Sequence, residues 1–362
     1  MTGLEYVTII LYEHNAFLWR NDMNTIPTRQ IGTTGVEVTE LGYGSAPLGD
    51  LFEDVPEDRA QETLHAAWDA GIRYYDTSPF YGYGKSEHRV GYFLRQKAHS
   101  DFILSTKVGR VFTAAPDLES FDRGLWNNPL PFNFYYDYSY DGIMRTYEDS
   151  LQRLGLHAVE LLLIHDLDPF FHNQAQIDAY LNRLFTSGWR ALEELKSYGA
   201  IKGIGAGVNM MGMIPRFLEM VPLDFFILAL PYTLLDQDAL DGELPLCEEH
   251  NVGIVIGAVF ASGILVTGPT ETATYRYAPA TPEILDKTGR IQNICNQYEV
   301  ALPAAALQFP LGHPCVASVI PGAIRPEYIQ SNLAHYQQDI PTDLWAELKQ
   351  EGLLREDAPV PG

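Results

Sequence analysis

The chain has 362 residues, enough for one large domain, and its 46% hydrophobic and 20% charged residues are typical of a globular protein with a sizeable core. It carries 47 acidic against 24 basic residues, and the formal net charge of −23 disfavours nucleic acid as a partner. Its three cysteines, Cys247, Cys295 and Cys315, lie far apart, so no disulfide framework and no metal site is expected, which is typical of a reducing, cytoplasmic environment.

The two ends of the chain are expected to lie outside the main domain. Residues 1–27 are interpreted as an extension, residues 28–345 as the domain and residues 346–362 as a tail. The apolar run at residues 7–12 is followed by Glu13 and His14 and has no basic region before it, so it matches a signal peptide poorly. No stretch reaches the ~18–20 apolar residues that a membrane span needs, so no membrane partner is expected.

Residues 28–38 resemble a short β-hairpin around the turn Thr33-Thr34-Gly35. Strand-like and helix-like segments then alternate along the chain. Most of the strand candidates are short apolar runs without alternation, as in strands buried on both faces. They span residues 41–45, 72–76, 102–107, 161–165, 202–208, 225–230, 253–258 and 315–320.

Amphipathic helices are predicted between these strands. Apolar residues recur at helical spacing at Ala60, Leu64, Ala67 and Trp68, at Met144, Tyr147, Leu151 and Leu154, and at Leu192 and Leu195. Gly71, Gly155 and Gly199 follow the three segments as helix stops. Repeated strand, helix and glycine indicate a parallel α/β fold, and eight strands favour a closed (β/α)8 TIM barrel.

An open dinucleotide-binding sheet is disfavoured because Gly42-Tyr43-Gly44-Ser45-Ala46 lacks the third glycine of that motif. One long segment, residues 111–140, interrupts the alternation after the third strand. It is rich in aromatic residues: Phe112, Phe121, Trp126, Phe132, Phe134, Tyr135, Tyr136, Tyr138 and Tyr140. We expect a long loop that covers the substrate, although a packed surface excursion is the alternative.

Four polar residues fall at the carboxyl ends of the second, third and fourth predicted strands, where barrel enzymes hold their active sites. They are Asp76, Tyr81, Lys107 and His165. A tyrosine has a reference pKa near 10, and a buried ammonium within ~4–6 Å lowers it by favouring the phenolate. The aspartate would balance the lysine, and the histidine would orient a substrate oxygen. The set predicts proton transfer at a carbonyl or carbinol oxygen, with hydride as the partner of the proton.

The segment from Gly71 to Gly82, Gly-Ile-Arg-Tyr-Tyr-Asp-Thr-Ser-Pro-Phe-Tyr-Gly, resembles the hallmark of the aldo-keto reductase superfamily. Ser105-Thr106-Lys107 and Leu163-Ile164-His165 match the lysine and histidine segments of that superfamily in order and spacing. The resemblance implies that Tyr81 is the general acid/base, that Lys107 and Asp76 tune it, and that His165 orients the substrate.

The resemblance also implies an NAD(P) cofactor extended across the barrel mouth. The residues it assigns to the cofactor are Gly44, Ser45, Asn209, Ser262, Gly263, Leu265, Gly322, Ala323, Arg325 and Asn332. Gly322 and Tyr328 stand where many NADPH-using members carry Lys and Arg for the 2′-phosphate, so NAD is favoured over NADP. Arg325 is a remaining cation there that could compensate. Ala229 and Gly257 replace the usual amide-anchoring glutamine and the ring that stacks on the nicotinamide.

The motifs around Ser45, Tyr136 and Tyr232 resemble the branch of aldose 1-dehydrogenases and pyridoxal 4-dehydrogenases. The leading hypothesis is therefore NAD-dependent oxidation of an aldose of the L-fucose or D-threo type at C1 to the lactone. Pyridoxal oxidation at C4 would use the same residues, and an NADPH-dependent aldehyde or ketone reductase is a third possibility. A non-catalytic barrel subunit that senses nucleotide is the alternative from a different class.

Overall fold

The computed structural model describes residues 25–51, 53–229, 231–276 and 278–362. The predicted extension lies almost wholly outside them. The strands, in chain order, are β1 (Thr28–Gln30), β2 (Glu37–Thr39), β3 (Tyr43–Gly44), β4 (Tyr74–Asp76), β5 (Ile103–Val108), β6 (Arg110–Ala114), β7 (Phe132–Tyr136), β8 (Leu161–His165), β9 (Gly203–Val208), β10 (Phe225–Ala229), β11 (Gly253–Gly257), β12 (Thr274–Tyr275), β13 (Ala278–Pro279) and β14 (Val316–Val319).

The α-helices are α1 (Glu57–Asp69), α2 (Lys85–Leu94), α3 (Tyr140–Leu154), α4 (Gln174–Arg183), α5 (Trp189–Ser197), α6 (Met213–Leu218), α7 (Glu243–His250), α8 (Ile264–Thr267), α9 (Pro282–Gln297), α10 (Leu302–Gln308), α11 (Pro326–Gln337) and α12 (Thr342–Gln350). The three helices predicted from apolar spacing are α1, α3 and α5. Within the described residues, every helix is too short or too polar to cross a membrane.

Eight parallel strands form the barrel, in the order β14-β11-β10-β9-β8-β5-β4-β3. Bridges from Leu41 to Val319 and from Gly44 to Gly322 bring the first strand against the last. All eight predicted strands are present, and most are buried along their whole length. The predicted (β/α)8 barrel is confirmed, and a closed sheet explains why these strands do not alternate between apolar and polar residues.

The predicted hairpin closes the amino-terminal end of the barrel. β1 pairs with β2 in antiparallel register, Arg29 opposite Val38. Ile31, Val36 and Val38 of this hairpin are buried in one cluster with barrel residues such as Leu161 and Phe225. The hairpin therefore plugs the end opposite the carboxyl ends of the strands and leaves that mouth for chemistry.

The long aromatic-rich segment predicted after the third barrel strand is present, and it contains secondary structure of its own. Its ends form the antiparallel pair β6 and β7, with Phe112 opposite Phe134. The two strands are rich in aromatic and β-branched residues, which favour strands. Their pairing spans about 20 residues of chain, and a local pattern does not reveal such a partner.

The predicted tail joins the main core. Helix α12 crosses the predicted boundary at residue 345, and Leu348, Leu353, Leu354 and Ala358 are buried in the largest hydrophobic cluster. At the other boundary, Ile26 is buried in the same cluster. The residues that flank the predicted domain on both sides thus contribute to its packing.

Two glycines of the first hairpin provide a matched test of the plug. Gly32 has φ +48°, and a Cβ there would lie 2.3 Å from the carbonyl oxygen of Asp224. Gly35 has φ +69° with open space around it. We predict that Gly35→Ala lowers the free energy of unfolding by about 1–2 kcal/mol, because alanine is disfavoured in the left-handed backbone conformation. Gly32→Ala should cost about 1–3 kcal/mol more, because the backbone around its Cβ would also have to move. Urea denaturation measures the free energy of unfolding of both variants. Equal losses would contradict the close packing of the hairpin against the end of the barrel.

Candidate active site

A buried ion pair joins the ends of two adjacent barrel strands. Asp76 closes β4, Lys107 lies in β5, and both side chains are 2–3% exposed. The lysine Nζ donates to both carboxylate oxygens of Asp76, at 2.7 and 2.8 Å, and to the carbonyl of Thr77 at 2.8 Å. The hydroxyl of Ser105 donates to Oδ1 of Asp76 at 2.6 Å. Each hydrogen of the ammonium therefore has a partner, as buried charges require.

The ring of Tyr81 lies beside this pair. Its centroid is 4.9 Å from Nζ of Lys107 and 6.0 Å from the centroid of the His165 ring. The turn that carries Tyr81 is held by a close backbone approach: a Cβ on Gly82 would lie 2.6 Å from the carbonyl oxygen of Gly49. An ammonium within ~4–6 Å of a phenol oxygen favours the phenolate form.

His165 ends β8, which is the neighbour of β5 in the barrel, and so lies close to Lys107 of the ion pair. Its side chain is nearly buried, and its Nδ1 lies 3.1 Å from the hydroxyl of Ser78. Burial, followed by the positive charges of Arg110 and Lys107, holds the pKa of His165 well below its usual value. The imidazole is therefore neutral at physiological pH and is suited to hydrogen bonding rather than to carrying charge.

The structure adds residues that the sequence pattern did not single out. Arg110 is buried with its Nη1 2.9 Å from Oδ2 of Asp166 and 3.1 Å from Nδ1 of His165. Asp166 directly follows His165, and Arg110 comes three residues after Lys107, so both flank predicted residues in the sequence. A charged residue just after an apolar strand was the available signal, but many such residues face solvent in other proteins.

Asn209 lies at the end of β9, where it can receive a nicotinamide amide. Its Nδ2 donates to Asp166 and to Asp168, each at 3.0 Å. Because carboxylates only accept hydrogen bonds, this fixes the amide orientation and leaves Oδ1 of Asn209 as an acceptor. An acceptor at this position fits the N–H of a carboxamide, so the residues present fit the nicotinamide end of the predicted cofactor.

Several predicted cofactor residues are packed into the first and last strands. Ser45 is buried; its hydroxyl donates to the carbonyl of Asp76 and accepts from Ser86, so it supports the catalytic strand. Gly44 is bridged to Gly322. Ala323 is buried, and its carbonyl accepts a hydrogen bond from the hydroxyl of Tyr43. The side chains at these positions are therefore buried or hydrogen-bonded within the protein. A ligand could contact only exposed backbone there, as at Gly322.

The loop after β11 has a constrained backbone. Ala261, Ser262 and Gly263 all have positive φ angles, of +48°, +61° and +99°. Leu265 follows in α8 and is fully buried, which anchors the loop. Consecutive left-handed residues cost energy and cluster at ligand sites. This loop remains the predicted contact for the pyrophosphate.

The predicted adenosine end carries a carboxylate that the sequence analysis did not weigh. Glu53 accepts hydrogen bonds through Oε1 from Arg325 at 3.1 Å and from Arg59 at 2.6 Å. Asn332 is nearly buried on α11, and Tyr328 is exposed at the start of the same helix. Arg325 is thus engaged by a carboxylate rather than held open for a phosphate.

Three potential metal ligands meet away from this mouth, ahead of the last barrel strand. Side-chain atoms of Glu248, His313 and Cys315 lie within 4.8 Å of one another. Nδ1 of His313 accepts the backbone N–H of Cys315 at 3.3 Å, which places the imidazole proton on Nε2. That tautomer opposes binding of a cation at Nε2.

A family model described as the aldo/keto reductase family matches residues 40–351. The chain is 43% identical over 336 residues to pyridoxal 4-dehydrogenase from Microbacterium luteolum, covering 90% of this chain and 97% of that protein. It is 38% identical over 324 residues to D-threo-aldose 1-dehydrogenase from a Pseudomonas species, covering 88% of this chain and 96% of that protein.

Solved structures with the same architecture include the holo form of an aldo-keto reductase from Bacillus halodurans. It superposes with a TM-score of 0.71 at 25% identity, covering 93% of this chain and 98% of that one. A glycerol dehydrogenase from Gluconobacter oxydans has a TM-score of 0.68 at 20% identity, with 92% and 97% covered, and shares the fold.

The low pKa of His165 predicts a pH-dependent stability. Below about pH 6.5 the unfolded chain protonates this histidine while the folded chain does not, so its contribution to stability is lost as pH falls. We predict that unfolding free energy declines more steeply in the wild type than in His165→Gln between pH 6 and 5, by about 1.4 kcal/mol per pH unit. His250→Gln, on the exposed end of α7, is the control. Parallel curves for wild type and His165→Gln would contradict the assignment.

Proposed function

Because the chain belongs to the aldo/keto reductase family, we propose that it oxidises an aldose of the L-fucose or D-threo type at C1 to the lactone, with NAD. The chain is an oxidoreductase, and the resemblance read from the motifs around Tyr81, Lys107 and His165 is confirmed. The observation that carries the proposal is the buried Asp76–Lys107 pair beside Tyr81, with the ring of neutral His165 6.0 Å from that of Tyr81.

Each of the four site residues has a separate role in the proposed proton transfer. Lys107 stabilises the phenolate of Tyr81, which accepts the proton of the anomeric hydroxyl. Asp76 balances the charge of Lys107 and fixes its position through two hydrogen bonds. His165 donates a hydrogen bond to the same substrate oxygen. A bound NAD⁺ would supply the hydride acceptor, so the aldose would lose a proton to Tyr81 and a hydride from C1 and would leave as the lactone.

Pyridoxal is the second candidate, because its cyclic hemiacetal presents the same hydroxyl and the same C–H bond. The more similar of the two relatives described above is a pyridoxal 4-dehydrogenase. The mouth is also walled by rings: Trp126 lies 5.9 Å from Tyr81 and 5.3 Å from Phe80 between centroids. Aromatic walls favour a flat pyridine ring and the apolar face of a pyranose alike.

The test is a spectroscopic assay of reduced cofactor at about 340 nm with NAD⁺ or NADP⁺ and a panel of L-fucose, D-arabinose, L-galactose and pyridoxal. We expect turnover with NAD⁺ and at least one sugar. Turnover with pyridoxal alone would select the second candidate. Reduction of aldehydes by NADPH, together with no turnover of any substrate in the panel, would indicate a general reductase.

Tyr81→Phe is the control within this assay, because it removes one hydroxyl and keeps the ring. It should abolish turnover while NAD binding, measured by calorimetry, stays near the wild-type value. Retained activity would exclude Tyr81 as the proton acceptor. Cofactor binding without turnover in the wild type would favour the non-catalytic, nucleotide-sensing alternative.

The preference for NAD rests on the charges near Arg325. Glu53 accepts from both Arg325 and Arg59, and Asp54, Glu57 and Asp58 follow in the same acidic segment. A carboxylate accepts from a ribose 2′-hydroxyl and repels a 2′-phosphate. Tyr328 and Gly322 provide no cation that would offset this repulsion.

We predict that Tyr328→Arg and Glu53→Gln each raise kcat/KM for NADP⁺ relative to NAD⁺ about tenfold, because each adds or releases a cation for the 2′-phosphate. Tyr198→Arg adds the same charge at an exposed position after α5, at the opposite end of the barrel, and should leave the ratio unchanged. If neither Tyr328→Arg nor Glu53→Gln changes the ratio of kcat/KM for NADP⁺ to that for NAD⁺, the adenosine of the cofactor does not bind near these residues.

We also propose a cytoplasmic location. Cys247, Cys295 and Cys315 are free thiols, of which the first two are buried and the third is half-buried. Burial raises the pKa of the Cys295 thiol to about 12, which makes this thiol unreactive. Free buried thiols are typical of a reducing compartment.

A further inference from the structure

The guanidinium of Arg110 is buried beside His165, outside the Asp76–Lys107 pair. Its side chain is 1% exposed. Nη1 lies 3.1 Å from Nδ1 of His165 and 2.9 Å from Oδ2 of Asp166, and Nη2 donates to the hydroxyl of Tyr136 at 3.1 Å. One rigid group thus contacts the imidazole, a carboxylate and a phenol.

Aromatic rings enclose this cation. The guanidinium carbon lies 4.0 Å from the centroid of the Phe80 ring, 4.9 Å from that of Tyr136 and 5.0 Å from that of Phe171. Its Nε has no hydrogen-bond partner among the described residues. A buried ion pair contributes little to stability, and less when a donor is left unpaired. Stability therefore does not explain why an arginine occupies this position.

The chemistry of the contact fixes the tautomer of His165. A guanidinium can only donate, so Nδ1 of His165 must accept. The hydroxyl of Ser78, 3.1 Å from the same nitrogen, accepts the N–H of Phe80 and has its own proton left to donate to Nδ1. A neutral imidazole that accepts at Nδ1 carries its proton on Nε2.

The surrounding charges are balanced. The charged and titratable groups beside the imidazole are Tyr81, Lys107, Arg110 and Asp166. Tyr136, Asp168 and His172 lie one contact further out, next to Arg110, Asp166 or one another. Asp166 lies 3.3 Å from Nε2 through Oδ2 and would favour a charged imidazole, but its charge is offset by Arg110. Burial with Arg110 and Lys107 then keeps the pKa of His165 low.

We propose that Arg110 is a positioning residue, which holds His165 in the neutral tautomer whose Nε2–H serves the reacting hydroxyl, with Asp166 as the counter-ion. This inference rests on the proposed function only for the identity of the hydroxyl. Asp166 also accepts from Nδ2 of Asn209, the residue predicted to contact the nicotinamide. One carboxylate thereby connects the substrate-orienting and cofactor-holding side chains.

The tautomer is measured on the wild-type protein without cofactor or substrate. Protein with ¹⁵N-labelled histidine is examined by NMR across pH 5 to 8, and His165 is assigned by the signal missing in His165→Gln. We expect a neutral imidazole protonated at Nε2 throughout this range. A proton on Nδ1, or titration within the range, would overturn the proposal, and this outcome is independent of any substrate.

The variants are Arg110→Met, Arg110→Lys and the control Arg153→Met. Arg153 is also a poorly exposed arginine, paired with Glu87 at 2.6 Å and 5.2 Å from the ring of Phe112. In Arg110→Met, the donor and the cation at Nδ1 are lost while Asp166 remains. We expect His165 to titrate within pH 5 to 8 and to show both tautomers, whereas in Arg153→Met it should match the wild type.

Kinetics supply the second readout. Arg110→Met should lower kcat about 100-fold, the scale of a misplaced catalytic group, and should add an acidic limb to the pH profile. Arg110→Lys keeps the charge, so the acidic limb should be absent while kcat recovers only in part. A wild-type pH profile in Arg110→Met, or an equal loss in Arg153→Met, would overturn the proposal. If Arg110→Met fails to fold, the proposal is tested by the kinetics of Arg110→Lys and by the ¹⁵N spectrum of the wild-type protein.

Discussion

The ion pair between Asp76 and Lys107 is the constraint on which the rest of the site depends. Both groups are taken out of water at the ends of adjacent strands, where a lone charge would cost several kcal/mol. The pair is tolerated because Thr77 and Ser105 complete its hydrogen bonds, and because β4 and β5 are neighbours in the barrel. Any arrangement that separates β4 from β5 leaves a buried charge unpaired. The ion pair of the site therefore depends on the strand order of the barrel.

A second ion pair mirrors the first on the other side of the same strand. β5 lies between β4 and β8 in the sheet. Lys107 in β5 pairs with Asp76 of β4, and Arg110, just past β5, pairs with Asp166 just past β8. The third barrel strand and the first residue of β6 thus provide the two cations, and the carboxylates come from β4 and from the residue that follows β8. The reacting hydroxyl would enter between two balanced pairs, beside a histidine that stays neutral.

Each of the two cations of the site, Lys107 and Arg110, is paired with a carboxylate. Lys107 lies 4.9 Å from the ring centroid of Tyr81, and burial, followed by the charges of Arg110 and Lys107, holds the pKa of His165 well below its usual value. In the proposed reaction the substrate would therefore meet one proton acceptor and one neutral donor. The same principle acts at the far end, where the carboxylate of Glu53 occupies Arg325 and Arg59.

The sequence alone determined the barrel, its eight strands and the four residues Asp76, Tyr81, Lys107 and His165. These are readable because buried parallel strands have a local apolar signature, and because strand ends share one rim. The pairing of β6 with β7, the contact of Arg110 with His165 and the contact of Glu53 with Arg325 were decided only by tertiary structure. Each depends on contacts between residues far apart in the chain, and whether a charge is buried and paired depends on what the fold places beside it.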